Sequence, residues 1–206
     1  MEVKLPLIAS PTAQIAGAES APVEPALRWA GFPATALRRV LDLDVALLLG
    51  AQRLQRDSAT RLMRELTRFG NSEGWVLLGL VLLASGGSSA LHALRLATAS
   101  LLATFLTQLL KRTCRRSRPS LGIRGFSALI ENPDLFSFPS GHSSAAFAVA
   151  VVLIGQGAFL GPLMLALALG VSLSRVYLGA HYPLDVGIGA LLGAASGLAV
   201  RAAFGG

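Results

Sequence analysis

Apolar residues run along this chain in long, nearly uninterrupted blocks, and the polar residues collect at the joints between them. Blocks of this length predict helices buried on every face, in protein or in lipid, rather than the alternating strands of a sheet. Ala90 to Leu110 supplies about the twenty residues that a bilayer crossing requires. Trp75 to Ala84 is equally apolar but a little short for a span, even counted from Ser72 to Ser85, and Gly86-Gly87-Ser88-Ser89 forms the turn between the two. Lys111 to Pro139 is rich in glycine, proline and charge and reads as irregular backbone outside the hydrocarbon. Gly141 to Gly155 then crosses away from that loop, Gln156-Gly157 turns the chain, and Leu160 to Leu178 returns it. Pro183 opens a last apolar helix that runs to about Phe204. In it Gly189, Gly193 and Gly197 recur every fourth position, a stripe that lets a neighbouring helix of this chain approach closely.

The N-terminal part is patterned differently. From Ala36 to Phe69 an apolar half (Val40, Leu41, Val45, Leu47, Leu48, Leu49) is followed by a charged half (Arg53, Arg56, Asp57, Arg61, Arg64, Glu65, Arg68). Asp42 and Asp44 make the first half an uneasy span, so crossing and lying on the surface both stay open for 36–55. The second half predicts a helix on the membrane surface, ended by Gly70-Asn71-Ser72. Residues 1 to about 35 carry five prolines and neither the basic n-region nor the apolar h-region of a secretory signal, which predicts an irregular tail. The expected fold is all-α. It is a polytopic membrane helical bundle of about five transmembrane helices with N-terminal amphipathic surface helices, residues 36–206 forming one membrane-embedded domain.

Composition agrees. Of 206 residues 53% are apolar and only 14% charged, with a mean hydropathy of +0.61, far from a soluble globular average. Basic residues outnumber acidic ones by 18 to 11, and Lys111, Arg112, Arg115, Arg116, Arg118 and Arg124 crowd one loop. Joined to apolar spans, that cluster favours a phosphate-bearing lipid over nucleic acid, for which no recognisable module is present. His92 and Arg95 fall near the opposite interface, where a structural or snorkelling role is expected. Cys114, the only cysteine, excludes a disulfide within the chain and is assigned no role.

Candidate chemistry lies in three stretches. Phe138-Pro139-Ser140-Gly141-His142 places a histidine on the first turn of an apolar helix, whose unpaired N–H groups and partial positive charge form a seat for an anion such as phosphate. Ser140 can cap that helix, and Gly141 lets backbone approach a ligand. Lys111 and Arg118, seven apart, share a face if the preceding helix persists, and Arg175 is a charge retained inside an apolar span. Together these three cations would grip a phosphate and stabilise charge during transfer. His181 and Asp185, four apart, allow the carboxylate to fix one imidazole nitrogen and leave the other as nucleophile, while His142 protonates the leaving oxygen. One crossing down from His142 and one back to Leu178 return the chain to the face it left, so the basic loop and both histidines meet at one membrane surface. Three histidines in all, one of them remote, and no clustered carboxylates argue against a hydrolase metal centre.

The spacing Lys111-(six residues)-Arg118-Pro119, then Pro139-Ser140-Gly141-His142, then Ser174-Arg175-(five residues)-His181-(three residues)-Asp185 resembles the three signature motifs of the type 2 phosphatidic acid phosphatase (PAP2) family, which includes vanadium haloperoxidases and bacterial acid phosphatases. All three are complete and in order, and the resemblance runs from about Trp75 to the C-terminus (75–206). It implies a helical core and metal-independent hydrolysis through a phosphohistidine, with no cofactor. It further implies that His181 attacks, Asp185 orients it, and His142 serves as acid and then as base for water. Lys111, Arg118, Ser140, the Gly141 amide and Arg175 would hold the phosphate. The implied substrate is a lipid phosphate or diphosphate of undecaprenyl or phosphatidate type, met at the outer, periplasmic face of a bacterial inner membrane. A lipid phosphotransferase using the same phosphohistidine, and a non-enzymatic phospholipid-binding membrane protein, are the alternatives. Oligomeric state is not legible.

Overall fold

A computed structural model describes residues 34–132, 134–156 and 158–204; the irregular tail expected over 1–35 lies almost wholly outside them. Among the described residues there are eight helices and no strand. They are α1 (Ala34–Gln52), α2 (Asp57–Phe69), α3 (Ser72–Ala84), α4 (Ser88–Cys114), the single turn α5 (Pro119–Gly122), α6 (Gly141–Leu153), α7 (Leu160–Tyr177) and α8 (Pro183–Ala203). The expected all-helical membrane bundle is the architecture observed. Helices α4, α7 and α8 are long and apolar enough to cross a membrane, and α3 and α6 are shorter apolar helices of 13 residues.

Helix α6 is the axis. Its small side chains, Ala146, Ala148, Val149, Ala150, Val152 and Leu153 among them, are buried on every side against α4, α7 and α8. At 1.5 Å per residue it is about 20 Å long, short for a hydrocarbon core of ~30 Å, but protein rather than lipid surrounds it. The outward faces of the longer helices carry Leu101, Phe105, Leu173, Leu191 and Leu198, all well exposed. In water such a surface would drive association, whereas in a bilayer it is the solvated face.

The glycine stripe performs the packing expected of it. A Cβ at Gly193 would sit 2.0 Å from the Ser144 carbonyl oxygen, and one at Gly189 2.5 Å from that of Ser140, so α8 presses its backbone onto α6. The contact at Gly189 is what sets the start of α6 beside the start of α8, and Ser140 N donates to the Asp185 carbonyl across the same seam at 2.9 Å.

The two ends of the bundle are used differently. At the end away from the basic loop, Arg95 donates to the Phe204 carbonyl at 2.7 Å and Arg201 to those of Val151 and Ile154, so both arginines cap helix C-termini. The structural role expected for Arg95 is the one observed. At the other end α1 turns one face inward, Leu41, Asp44, Leu48 and Gln52, and leaves Asp42 exposed. Gln52 Nε2 satisfies the Val176 and Tyr177 carbonyls at the end of α7. The strongly amphipathic α2 lies against α7, where Thr67 and Ser174 share a hydrogen bond of 2.8 Å.

One local expectation needs correction. Helix α4 does not stop at Leu110 but continues through Lys111 to Cys114, and Arg115, at φ 44°, then turns the backbone into the left-handed region and ends it. Lys111 and Arg118 therefore do not share a helix face; a turn after Cys114 carries Arg118 back towards Lys111. The returning strand of loop is held by Ser137, whose N–H and hydroxyl both bond to the Arg116 carbonyl, at 2.8 and 3.3 Å.

Gly193→Val puts two methyl groups where only backbone fits, and is expected to cost about 1–3 kcal/mol through forced separation of α6 and α8. Thermal unfolding in detergent should show a lowered transition; a variant as stable as the parent would mean that the two helices are not locked at this point.

Candidate active site

The turn that ends α7 is the first piece of the site. Leu178 N bonds to the Ser174 carbonyl, and Ala180 N and His181 N both reach the Arg175 carbonyl at 3.0 and 3.2 Å, which closes the helix and aims His181 back under it. Tyr182 then precedes α8, its N–H donating to Asp185 Oδ2 at 2.9 Å in the manner of an N-cap. Pro183 suits the first helical position. The result is that Arg175, His181 and Asp185, scattered over eleven positions, are all buried and adjacent.

Arg118 NH1 donates to the Ala180 carbonyl at 2.7 Å and lies 3.3 Å from His181 Nε2. A guanidinium carries no acceptor, so Nε2 must be the unprotonated nitrogen in that contact and Nδ1 carries the ring proton. Nδ1 is 3.7 Å from Asp185 Oδ2, longer than a hydrogen bond, and the backbone of Ser137 is a further polar group that interacts with the ring. The spacing of four thus brings imidazole and carboxylate face to face without the direct hydrogen bond expected. Burial first, then the positive charges of Arg175, Arg118 and Lys111, push the His181 imidazole well below its ordinary pKa.

The cations meet around one carboxylate. Lys111 Nζ lies 2.6 Å from Asp134 Oδ2, while Arg118 donates to the Asp134 carbonyl and to Oδ1. Arg118 NH1 and Arg175 NH2 both approach Asn132 Oδ1, at 3.0 and 3.5 Å, and Arg175 NH1 donates to Thr67 Oγ1 at 3.1 Å. Arg175 Nε is buried with no hydrogen-bond partner among the described residues. Burial alone would raise the Asp134 carboxyl, but the hydrogen bonds from Lys111 and Arg118 outweigh it and hold the group below the usual carboxylate range. A two-oxygen anion already sits where a phosphate would be gripped.

The third piece is the start of α6. Ser140 is its N-cap, its Oγ accepting from Ser143 N at 3.4 Å, and Gly141 and His142 form the first turn. A Cβ at Gly141 would meet only the Thr107 methyl, at 3.8 Å, so packing does not demand glycine there. His142 Nε2 is 2.9 Å from Asn71 Oδ1, and Arg175, His181, Lys111 and Arg118 all lie within electrostatic reach of the ring. All eight residues singled out in the sequence gather at this one end of the bundle.

Five further side chains complete it that motif reading did not assign: Asp44, Thr67, Asn71, Arg116 and Asn132. Asp44 had a visible signal, a carboxylate on an apolar helix, which must find a partner or be expelled. From the sequence, the loop from Ser120 to Ser137 reads as the headgroup-selecting segment with Arg124, Glu131 and Asp134 as candidates; the bonds of Asp134 to Lys111 and Arg118 are not visible there. Among the described residues no group of three or more His, Cys, Asp or Glu side chains is placed to hold a metal ion.

The sequence profile of the PAP2 superfamily matches residues 92–205. A decaprenylphosphoryl-5-phosphoribose phosphatase of Mycobacterium tuberculosis is 32% identical over 178 residues, covering 79% of this chain and 92% of that protein. An undecaprenyl-diphosphatase of Sulfolobus acidocaldarius is 31% identical over 64% of each chain. Among solved structures, the transmembrane PAP2-type phosphatidylglycerolphosphate phosphatase of Bacillus subtilis has a TM-score of 0.67 and 27% identity, covering 81% of this chain and 87% of that one.

Because the Asp134 carboxylate and an incoming anion compete for Lys111 and Arg118, Asp134→Asn should tighten binding of orthophosphate or vanadate by roughly 3- to 10-fold, the scale of a partly exposed ion pair. Inhibition constants measured on both proteins test this; weaker anion binding by the variant would show that Asp134 shapes the cradle rather than occupying it.

Proposed function

The chain belongs to the PAP2 superfamily and is a membrane phosphatase of lipid substrates; we propose that it removes the terminal phosphate of an undecaprenyl diphosphate or phosphatidate-type lipid through a phosphohistidine on His181. The observation that carries this reading is the convergence of Lys111, Arg118 and Arg175 on one anion beside His181 Nε2.

The chemistry follows from the geometry. Substrate phosphate displaces Asp134 and takes the hydrogen bonds of Lys111, Arg118 and Arg175, joined by the Ser140 hydroxyl and the Gly141 amide at the start of α6. Arg118 then bonds a phosphate oxygen instead of Nε2, and the freed lone pair attacks phosphorus. As the N–P bond forms, the bond to the leaving oxygen breaks, and His142 supplies that oxygen with a proton. Negative charge building on the equatorial oxygens is met by three cations in a partly dehydrated site, where each is worth more than in water. His142, now neutral, takes a proton from water, whose oxygen attacks the phosphohistidine. Orthophosphate leaves and His181 is restored. Asp185 faces Nδ1 throughout and stabilises the charge that the ring carries while phosphorylated.

The bilayer supplies the rest of the specificity. The site opens at the end of helices whose flanks are apolar, so a lipid tail stays in hydrocarbon while its headgroup reaches the cations. Glu131, Arg124 and Asp134 in the loop over the site are the residues we assign to headgroup selection.

Purified protein should release phosphate from a panel of lipid phosphates with or without chelator, and His181→Ala should lose activity by about 10³-fold or more, without trapping of acid-labile phosphoenzyme. His142→Asn should fall by about 10²–10⁴-fold. Activity retained by His181→Ala, or abolished by chelator, overturns the mechanism. The depressed pKa of His181 fixes the sign of the acidic limb: the neutral, attacking ring persists as pH falls, so kcat/KM should hold up to pH values below the ordinary imidazole pKa of ~6.5 before declining. A limb centred at or above that value contradicts the burial described.

We also place the site on the periplasmic face of a bacterial inner membrane. The basic residues of α2 and of the loop gather on that same face, against the usual cytoplasmic bias of Lys and Arg, so the placement makes a demanding prediction. Cys114, the only thiol and partly exposed at the end of α4, should react with a membrane-impermeant maleimide in intact cells, as should a cysteine introduced at the exposed Ser120 in a Cys114→Ser background. Labelling only after the membrane is broken puts the site on the cytoplasmic side.

A further inference from the structure

Arg116 belongs to none of the three motif positions, yet it is buried between two carboxylates. NH1 lies 2.6 Å from Asp185 Oδ1 and NH2 2.6 Å from Asp44 Oδ2, while the guanidinium plane rests 3.9 Å from the centre of the Tyr182 ring. Asp44 uses its other oxygen to accept from Leu184 N at 2.7 Å, on the first turn of α8. Every charge in the row is therefore paired, and every group is held from at least two directions.

The division of labour on Asp185 is the informative part. Oδ1 is bonded by Arg116 and Oδ2 by the Tyr182 amide, and Oδ2 lies 3.7 Å from His181 Nδ1. A carboxylate fixed on one oxygen by a planar guanidinium cannot swing about its Cβ–Cγ bond. The imidazole therefore faces a carboxylate of fixed position, close enough for attraction once the ring is charged. Arg116 itself is kept from rotating by Asp44, which comes from α1, outside residues 92–205 that the superfamily profile covers.

We propose that Arg116 and Asp44 are positioning residues for the phosphatase reaction, a buried Asp44–Arg116–Asp185 row that orients the His181 nucleophile and makes helix α1 part of the catalytic apparatus. The inference rests on the nucleophilic role given to His181 above. Its energetic logic is geometric: small misplacement of a nucleophile costs on the order of 100-fold in rate, whereas phosphate binding by Lys111, Arg118 and Arg175 does not pass through this row.

The expected effects are therefore on kcat. Arg116→Gln should lower kcat by about 30- to 100-fold and Asp44→Asn by about 5- to 20-fold, with KM within about 3-fold of the parent in each. Arg116→Lys, which keeps the charge but cannot face two carboxylates at once, should fall between parent and Arg116→Gln. The double variant Asp44→Asn/Arg116→Gln should be no slower than Arg116→Gln alone, because Asp44 acts only through Arg116; a merely structural contribution would multiply instead. Asp44→Asn is nearly isosteric, and melting in detergent identifies any variant whose loss is one of folding. Wild-type kcat in both single variants, or a multiplicative double variant, overturns the row. If His181→Ala keeps activity, the parent reading has failed; if His181→Ala is dead and Arg116→Gln is fast, only this inference has.

Discussion

Three cations, Lys111, Arg118 and Arg175, are buried side by side at the rim of an apolar bundle, and like charges in a poorly solvated pocket repel strongly. Such a pocket is stable only while an anion occupies it. In the structure the anion is the Asp134 carboxylate, bonded to two of the three, with the Asn132 amide oxygen serving the third. The need for negative charge is thus built into the fold, and a lipid phosphate satisfies it better than the loop does, with more oxygens and more charge. The same constraint, added to burial, lowers the His181 pKa: a protonated ring would be a further positive charge in the same place.

The remaining architecture serves to hold that pocket at one end of the helices. Small residues on α6 and the glycines of α8 let two backbones touch, which sets the α6 N-terminus beside His181. At the far end Arg95 and Arg201 spend their charge on helix carbonyls. Polar chemistry at one end and capping at the other is the arrangement expected when the middle must face hydrocarbon.

How much of this could be read from sequence depended on whether a residue's reason for being there was local. The spans were legible because apolar runs are; His142, Arg175 and His181 were legible because each stands at a helix end or inside an apolar block, where a polar group needs a reason. The end of α4 was misplaced by one turn, since Lys111 and Arg112 are good helix formers and their charge alone does not stop a helix; a left-handed Arg115 does. Asp44 and Arg116 could not be paired in advance, because their partners lie 72 and 69 positions away and nothing in either neighbourhood says so. Asn71 beside His142 is the same case: it reads as a helix breaker, and only the packing of α3 against the bundle makes it a hydrogen-bond partner.

Two carboxylates face this site, and they differ in the way their tasks require. Asp134 is on a loop with a side chain 39% exposed, held only by the groups that a substrate would claim, and it can leave without breaking the fold. Asp185 is fully buried on the first turn of α8, bound by Arg116 and by its own helix's leading amide, and it cannot. Exchange the two properties and the site fails in both respects: an immovable anion would block phosphate, and a mobile one would leave the imidazole unaimed. The asymmetry between a displaceable counter-ion and a locked one is therefore what allows a pocket that must always contain an anion to turn over.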